Sequence, residues 1–198
     1  MNSPMDQWES RYQSGETGWD RGAASPAIEH WLSALLKPPA RVLIPGCGRG
    51  HEAVFLAGHG FGITGLDIAP SAVRHLEKEL AEAGLTGEVI LGDLFDYQPA
   101  EPFDVVYEQT CLCAIQPEQR SAYESKLYHW LRPGGHLLAL FMQTGAEGGP
   151  PFHSDLLAMR KLFSEERWLW PETEPLFVPH SVSDRAGRFE LGYQLIRK

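Results

Sequence analysis

The stretch "RVLIPGCGRGHEAVFLAGHGFGITGLDI", residues 41–68, already implies a parallel α/β sheet. Val42, Leu43 and Ile44 form a continuous apolar run that stops at glycines, the pattern of a strand buried on both faces. "HEAVFLAGHG" then reads as a short helix stopped by glycine, and "FGITGLDI" (61–68) as a second strand. A strand, a glycine turn, a helix and a second strand make one βαβ unit, whose two strands run parallel.

The same alternation continues along the chain. "PSAVRHLEKELAEAG" has Pro70 for the first helical turn, Gly84 for the stop, and Val73, Leu76 and Leu80 on one stripe. "GEVILGD" (87–93) is a third strand and "FDVVYEQ" (103–109) a fourth. "PEQRSAYESKLYHWL" reads as a helix opened by Pro117 and closed by "RPGG" at 132–135, with Tyr123, Leu127, Trp130 and Leu131 on one face. "HLLALFMQ" (136–143) is a fifth strand. After "TGAEGGPPF" a helix is expected over 153–163, with Leu156, Leu157, Met159 and Leu162 as its apolar members. Two strand-like pieces, around 167–178 and "RFELGYQLIRK", make a terminal antiparallel hairpin the simplest ending. Five parallel strands and the hairpin amount to a doubly wound, mostly parallel, seven-stranded Rossmann-like α/β sheet. Ligands bind such sheets beyond the carboxyl ends of the strands, which points to 44–50, 67–70, 93–95, 107–113 and 142–152.

Composition narrows the function. The 198 residues, 43% hydrophobic and 22% charged, suit one soluble domain with a full core. The apolar runs are strand-length, far short of the roughly 20 residues that span a bilayer. "MNSPMDQWES" has neither a basic region nor an apolar core, so no signal peptide is read and a cytoplasmic location is expected. With 26 acidic against 17 basic residues, a net charge of −9 and no basic run, nucleic acid is not expected as a partner. Cys47, Cys111 and Cys113 have neither zinc-site nor thioredoxin spacing and are read as buried thiols, although Cys47 and Cys111 fall near strand ends. No cluster of His, Cys and carboxylates has metal-ligand spacing, so no metal is expected.

The chemistry starts at "PGCGRG" (45–50), where Gly46, Gly48 and Gly50 permit a tight turn and close backbone approach to a ligand. Asp67 ends the second strand, 21 residues after Gly46, where a carboxylate can accept hydrogen bonds from ribose hydroxyls. The dinucleotide fingerprint G-x-G-x-x-G would need glycine at His51; the spacing here is G-x-G-x-G, which suits S-adenosylmethionine better. Asp93 closes the third strand and is followed by Leu94, an acid and an apolar residue placed to hold an adenine amino group and cover its ring. No Gly-Lys-Ser/Thr follows the glycines, which removes a P-loop.

These motifs, with "WESRYQSGETGWDRGAASPAI", "VLIPGCGRGHE", "GLDIAPSAV", "DLFDY", "FDVVYEQTCLCAIQPEQR" and "GGPPF", resemble the thiopurine S-methyltransferase superfamily, closest to its thiol and halide methyltransferase branch. The match spans residues 8–152, about three quarters of the chain. The resemblance implies a class I S-adenosylmethionine-dependent methyltransferase fold with an N-terminal helical lid, one domain in which residues 1–36 form the arm and 40–198 the core. It implies cofactor contacts from Trp8, Tyr12 and Trp19 in the arm, Gly46 and Gly48 in the loop, Asp67, Asp93, Leu94 and Gln109. It implies acceptor contacts from Trp19, Met142 and Phe152. Tyr12 stands where plant halide-type members often have Trp, which keeps a ring. Gln109 stands where thiopurine-type members carry Arg, which removes a positive charge. Met142 stands where plant halide-type members carry Tyr, which weakens the case for a halide or small-anion acceptor.

The implied reaction is in-line displacement at a sulfonium methyl, with S-adenosylhomocysteine leaving. Aromatic faces favour a sulfonium. A thiolate, selenolate or halide arrives already anionic, so no general base is required and no catalytic residue is named; Asp20, His51, Glu108 and His153 each have a structural role to fill. The acceptor is a small molecule, with thiols ahead of hydrosulfide, halide and oxidised selenium or tellurium species, and a monomer is expected. A nicotinamide-dependent oxidoreductase, or a binding protein that keeps the fold without turnover, are the competing readings. Trp130, Trp168 and Trp170 are assigned to packing, and "GGPPF" to either a rigid turn or a pocket wall. In the arm, a helix from about residue 5, a loop and a helix at 26–36 are expected to fold over the cofactor, with Trp19 touching cofactor and acceptor.

Overall fold

The computed structural model describes residues 3–34, 37–180 and 187–198, and the chain forms two compact units, Met1–Tyr97 and Gln98–Lys198. Positions 1, 2, 35 and 36 of the expected arm lie outside the described residues.

The first unit opens with α1 (Pro4–Ser14) and α2 (Pro26–Ala34). Ser3 caps α1: its hydroxyl accepts from the Asp6 amide and the Asp6 carboxylate accepts from the Ser3 amide, both at 3.1 Å. Two orphan N–H groups of the first turn are thereby satisfied. There follow β1 (Arg41–Pro45), α3 (His51–Gly58), β2 (Gly62–Asp67), α4 (Pro70–Glu82) and β3 (Glu88–Leu91). The strands run parallel in the order β3-β2-β1, with Ile44 opposite Gly65 and Gly65 opposite Val89. The apolar run of β1 is sealed: Val42 and Leu43 are 0% exposed. The stripe read on α4 is real, since Val73, Leu76 and Leu80 are all buried. Gly65 makes the fit possible. A Cβ there would stand 2.6 Å from Leu76 Cδ2 and 3.1 Å from Cys47 Sγ, so only a bare backbone lets α4 and the glycine loop lie against β2.

The second unit contains β4 (Phe103–Gln109), a 3₁₀ turn (Pro117–Gln119), α5 (Arg120–Trp130), β5 (Leu131–Gln143), α6 (Leu156–Leu162), β6 (Trp168–Leu169), β7 (Leu176–Pro179) and β8 (Phe189–Arg197). β4 and β5 are parallel; β8 runs antiparallel to β5 and also pairs with β6 and β7. Met142 on β5 is opposite Glu190 on β8.

Three details differ from the expectation, each for a local reason. "RPGG" does not close α5 but bulges out of β5: Phe103 pairs with Leu131, and the next match is Val105 with His136. Gly134 takes φ +73° in that bulge, and a Cβ on Gly135 would meet the Arg132 carbonyl at 2.8 Å. The strand-like piece at 167–178 divides into β6 and β7, because Pro171 and Pro175 lack the N–H a ladder needs. An eighth strand results, and β7 with β8 makes the terminal antiparallel hairpin. Helix α6 begins only at Leu156, where Asp155 accepts from the Ala158 amide at 2.8 Å; Met159 faces the core while Leu157 is 72% exposed. Trp130, Trp168 and Trp170 are buried, as packing requires. No helix among the described residues is long and apolar enough to cross a membrane.

Candidate functional site

The glycine loop between β1 and α3 is held by the end of β2. Gly46, Gly48 and Gly50 all have positive φ, +60°, +56° and +78°, a conformation that costs an L side chain and nothing in glycine. Asp67 joins this loop to α4: its Oδ2 accepts from the Gly48 amide and its Oδ1 from the Ala69 amide, each at 2.9 Å. Burial pushes the Asp67 carboxyl above the usual carboxylate range, against the pull of those amides. The Ile68 amide is a third donor to this carboxylate, which leaves capacity for one further donor.

The arm packs its rings beside this loop. Trp8 and Tyr12 lie four residues apart on α1, so they share a face, and both meet Trp19 edge-on, with centroids 5.5 and 5.6 Å away. Trp19 is the hub of three half-buried rings. The Arg11 guanidinium stacks on Trp8 at 5.1 Å, so that ring already carries a cation. Tyr12 reaches the loop: a Cβ on Gly48 would stand 3.2 Å from its hydroxyl. Burial, with the negative charges of Asp67 and Asp20, drives the Tyr12 phenol far up and keeps it neutral.

Two carboxylates that sequence reasoning did not assign to the site fix the arm. Glu9 accepts from the Ser71 amide at 2.8 Å and the Ser71 hydroxyl at 2.7 Å, binding α1 to the start of α4. Burial raises its pKa, but those bonds and Arg74 outweigh it and hold it below the usual range. Asp20 follows Trp19 and faces the residues bordering the third glycine: Oδ2 lies 2.7 Å from Arg49 Nε and Oδ1 lies 2.9 Å from His51 Nε2. Oδ1 also accepts from the Gly22 amide at 2.8 Å. Burial opposes ionisation of Asp20, and the Gly22 amide, His51 and Arg49 more than offset it, leaving its pKa lowered. The half-buried Glu52 accepts from the Ser25 amide at 2.9 Å and holds the start of α2 to α3.

Asp93 stands two residues beyond the end of β3, half-buried in a turn, where its Oδ1 accepts from the Phe95 amide at 2.8 Å; Leu94 is next to it. Trp8, Tyr12, Trp19, Gly46, Gly48, Asp67, Asp93 and Leu94 all belong to the first unit.

Gln109, Met142 and Phe152 belong to the second. The Gln109 amide is engaged at both ends: Oε1 accepts from the Tyr107 hydroxyl at 2.8 Å, and Nε2 donates to the fully buried Glu190 at 2.9 Å. Met142 is 1% exposed. Phe152 is held through its backbone, donating to the Cys113 carbonyl at 2.7 Å and accepting from Arg120 at 3.4 Å. Arg120 also donates to the His153 carbonyl at 3.1 Å, so "GGPPF" is fastened to the start of α5. His153 precedes α6 instead of heading it, and its Nδ1 accepts from the Thr144 amide at 3.1 Å. Glu108 accepts from the Leu112 amide at 2.6 Å, and complete burial pushes its carboxyl up to about 7. The three cysteines are buried thiols, and no group of His, Cys, Asp and Glu among the described residues could hold a metal.

The family model described as Thiopurine S-methyltransferase (TPMT) matches residues 3–188. Thiocyanate methyltransferase 1 of Brassica oleracea is 32% identical over 200 residues, covering 93% of this chain and 82% of that protein. Thiopurine S-methyltransferase of Pseudomonas putida (strain GB-1) is 31% identical over 163 residues, covering 73% of this chain and 76% of that one. Among solved structures, the 1,6-didemethyltoxoflavin-N1-methyltransferase of Burkholderia thailandensis, with S-adenosylhomocysteine bound, superposes with a TM-score of 0.77 at 19% identity, covering 100% of this chain and 92% of that one. The chain belongs to the thiopurine S-methyltransferase family and is an S-adenosylmethionine-dependent methyltransferase.

Proposed function

We propose that this enzyme methylates the sulfur of a small thiol, with the first unit holding S-adenosylmethionine. One observation carries the reading: the glycine loop is tied to Asp67 on one side and faced by the hydroxyl of Tyr12, a member of the aromatic trio, on the other. The residues fit the ligand. Asp67 retains a lone pair for a ribose hydroxyl. The second oxygen of Asp93 has no hydrogen-bond partner among the described residues and suits an adenine amino group, with Leu94 beside it. Tyr12 and Trp19 offer ring faces to a sulfonium, an attraction of roughly 0.5–2 kcal/mol; Trp8, already stacked on Arg11, contributes less.

S-adenosylmethionine supplies an electrophilic methyl on a positively charged sulfur. The chain's own work is orientation and exclusion of water, which would solvate an anionic thiolate and blunt its attack. Gly46 and Gly48 give close backbone approach; Asp67 sets the loop; Trp8, Tyr12 and Trp19 cover it. Gln109 keeps one lone pair and one N–H beyond its bonds to Tyr107 and Glu190, and these are proposed for the amino-acid end of the cofactor. Met142 and Phe152, with Trp19, are the proposed acceptor contacts. The relatives' printed names, thiocyanate and thiopurine methyltransferases, support a sulfur acceptor. Residues 1–36 act as the arm of a single methyltransferase domain, working as a cytoplasmic monomer without nucleic acid.

The test is a labelled-methyl transfer screen over aromatic and aliphatic thiols, hydrosulfide, halides and selenium or tellurium acceptors. Thiols are expected to lead, and methylation of oxygen or nitrogen acceptors alone would overturn the assignment.

A further inference from the structure

We infer that Asp20 is a positioning residue: by pairing with Arg49 and His51 it locks Trp19 to the glycine loop, so that cofactor affinity depends on a carboxylate that itself need not touch the cofactor. The inference rests on the reading of the glycine loop and arm as the cofactor site.

The joint is directional. Asp20 is bonded to Trp19 in the chain, and its carboxylate reaches Arg49 and His51, the residues on either side of Gly50. One oxygen serves the Arg49 guanidinium and the other the His51 ring, at 2.7 and 2.9 Å, while the Gly22 amide and the Thr17 carbonyl tighten the turn around it. The other attachment of the arm, Glu9 to Ser71, fixes α1 and therefore Trp8 and Tyr12. Trp19 lies beyond the end of α1, past a loop that begins at the left-handed Gly15. Without Asp20 the Trp19 ring would be held by its hydrogen bond with Tyr12 and by two edge contacts worth about 0.5–1.5 kcal/mol each. The pair is only partly screened: the Asp20 side chain is 17% exposed. Arg21 follows Asp20 in the chain, and His75 and Glu52 border the same charges. The substitution that isolates the charge is Asp20→Asn, because its amide oxygen can still accept from Gly22 while the ion pair with Arg49 is lost.

The test compares wild type with D20N, R49Q and the double variant. Calorimetry measures S-adenosylhomocysteine affinity, and chymotryptic cleavage at Trp19 is followed in the ligand-free protein. D20N should bind about tenfold more weakly, and cleavage should be several-fold faster with the melting temperature little changed. The double variant should be no worse than the weaker single one, the non-additivity of two residues joined in one interaction. Raising salt from 0.05 to 0.5 M should speed cleavage of wild type but not of D20N, since only the ion pair is screened. Equal cleavage and affinity within twofold for D20N would overturn the inference, as would strict additivity. If wild-type protein binds no S-adenosylhomocysteine, the cofactor reading fails, and the cleavage and salt comparisons still judge the lock.

Discussion

The Gly48 amide donates to Asp67 Oδ2 at 2.9 Å, so the last residue of one strand sets the loop that follows its neighbour. This bond makes the ligand loop a property of the sheet. Asp67→Asn leaves one amide N–H facing an NH₂ group in a site only 8% exposed. A buried unsatisfied donor costs about 1–3 kcal/mol. Chemical denaturation should read a loss of that size, and S-adenosylhomocysteine affinity should fall at least tenfold. An unchanged affinity would show that Asp67 serves only the backbone.

Gly65→Ala tests the packing beneath the site. The new methyl would stand 2.6 Å from Leu76 Cδ2, and Leu76 is 0% exposed with nowhere to turn. Overpacking of this kind costs about 1–3 kcal/mol. The variant should melt lower and bind the cofactor more weakly, because Cys47 in the glycine loop is the second clash, at 3.1 Å. Full stability would mean that α4 slides freely.

Glu108 makes a pH prediction. Its folded pKa of about 7 lies above the ordinary 4.5, so the folded state holds a proton that the unfolded chain releases first. The resulting stability is complete below about pH 4 and is lost as pH rises through the interval up to about 7. Glu108→Gln can keep the bond from Leu112 and has no charge to bury. Relative to wild type it should gain about 2 kcal/mol, roughly 4–8 °C, between pH 5 and pH 8. Parallel melting curves at both pH values would refute the buried charge.

Trp19→Ala removes the hub of the aromatic trio while leaving the Glu9 anchor in place. Its effect should fall mainly on function: about a tenfold loss in cofactor affinity, the scale of one cation–π contact, against a small change in melting temperature. A large unfolding effect without an affinity effect would return the arm to plain packing.

Much of this architecture was legible because local periodicity reports local geometry. The apolar run of β1, the stripe of Val73, Leu76 and Leu80, and the G-x-G-x-G turn followed by Asp67 each state their role within a few residues. The hidden parts are polar pairs between distant segments. Glu9 and Ser71 are 62 residues apart and Asp20 and His51 are 31 apart, and neither pair leaves a period in the sequence. Asp20 reads in the sequence as an acid with a structural role to fill, yet nothing local distinguishes a lock from a solvated charge. Gly134 and Gly135 looked like a helix stop because glycine marks a bulge and a cap alike. Likewise Gln109 stood out as a departure from an arginine, but its commitment to Glu190 crosses to a strand 81 residues away.

The most direct test of sulfur transfer is a paired assay in which a small aromatic thiol and the alcohol of the same skeleton compete for labelled methyl from S-adenosylmethionine. The geometry of a site without an assigned base predicts the S-methyl product from the thiol and none from the alcohol. Label on the oxygen alone, or no transfer by protein that binds S-adenosylhomocysteine, would contradict it.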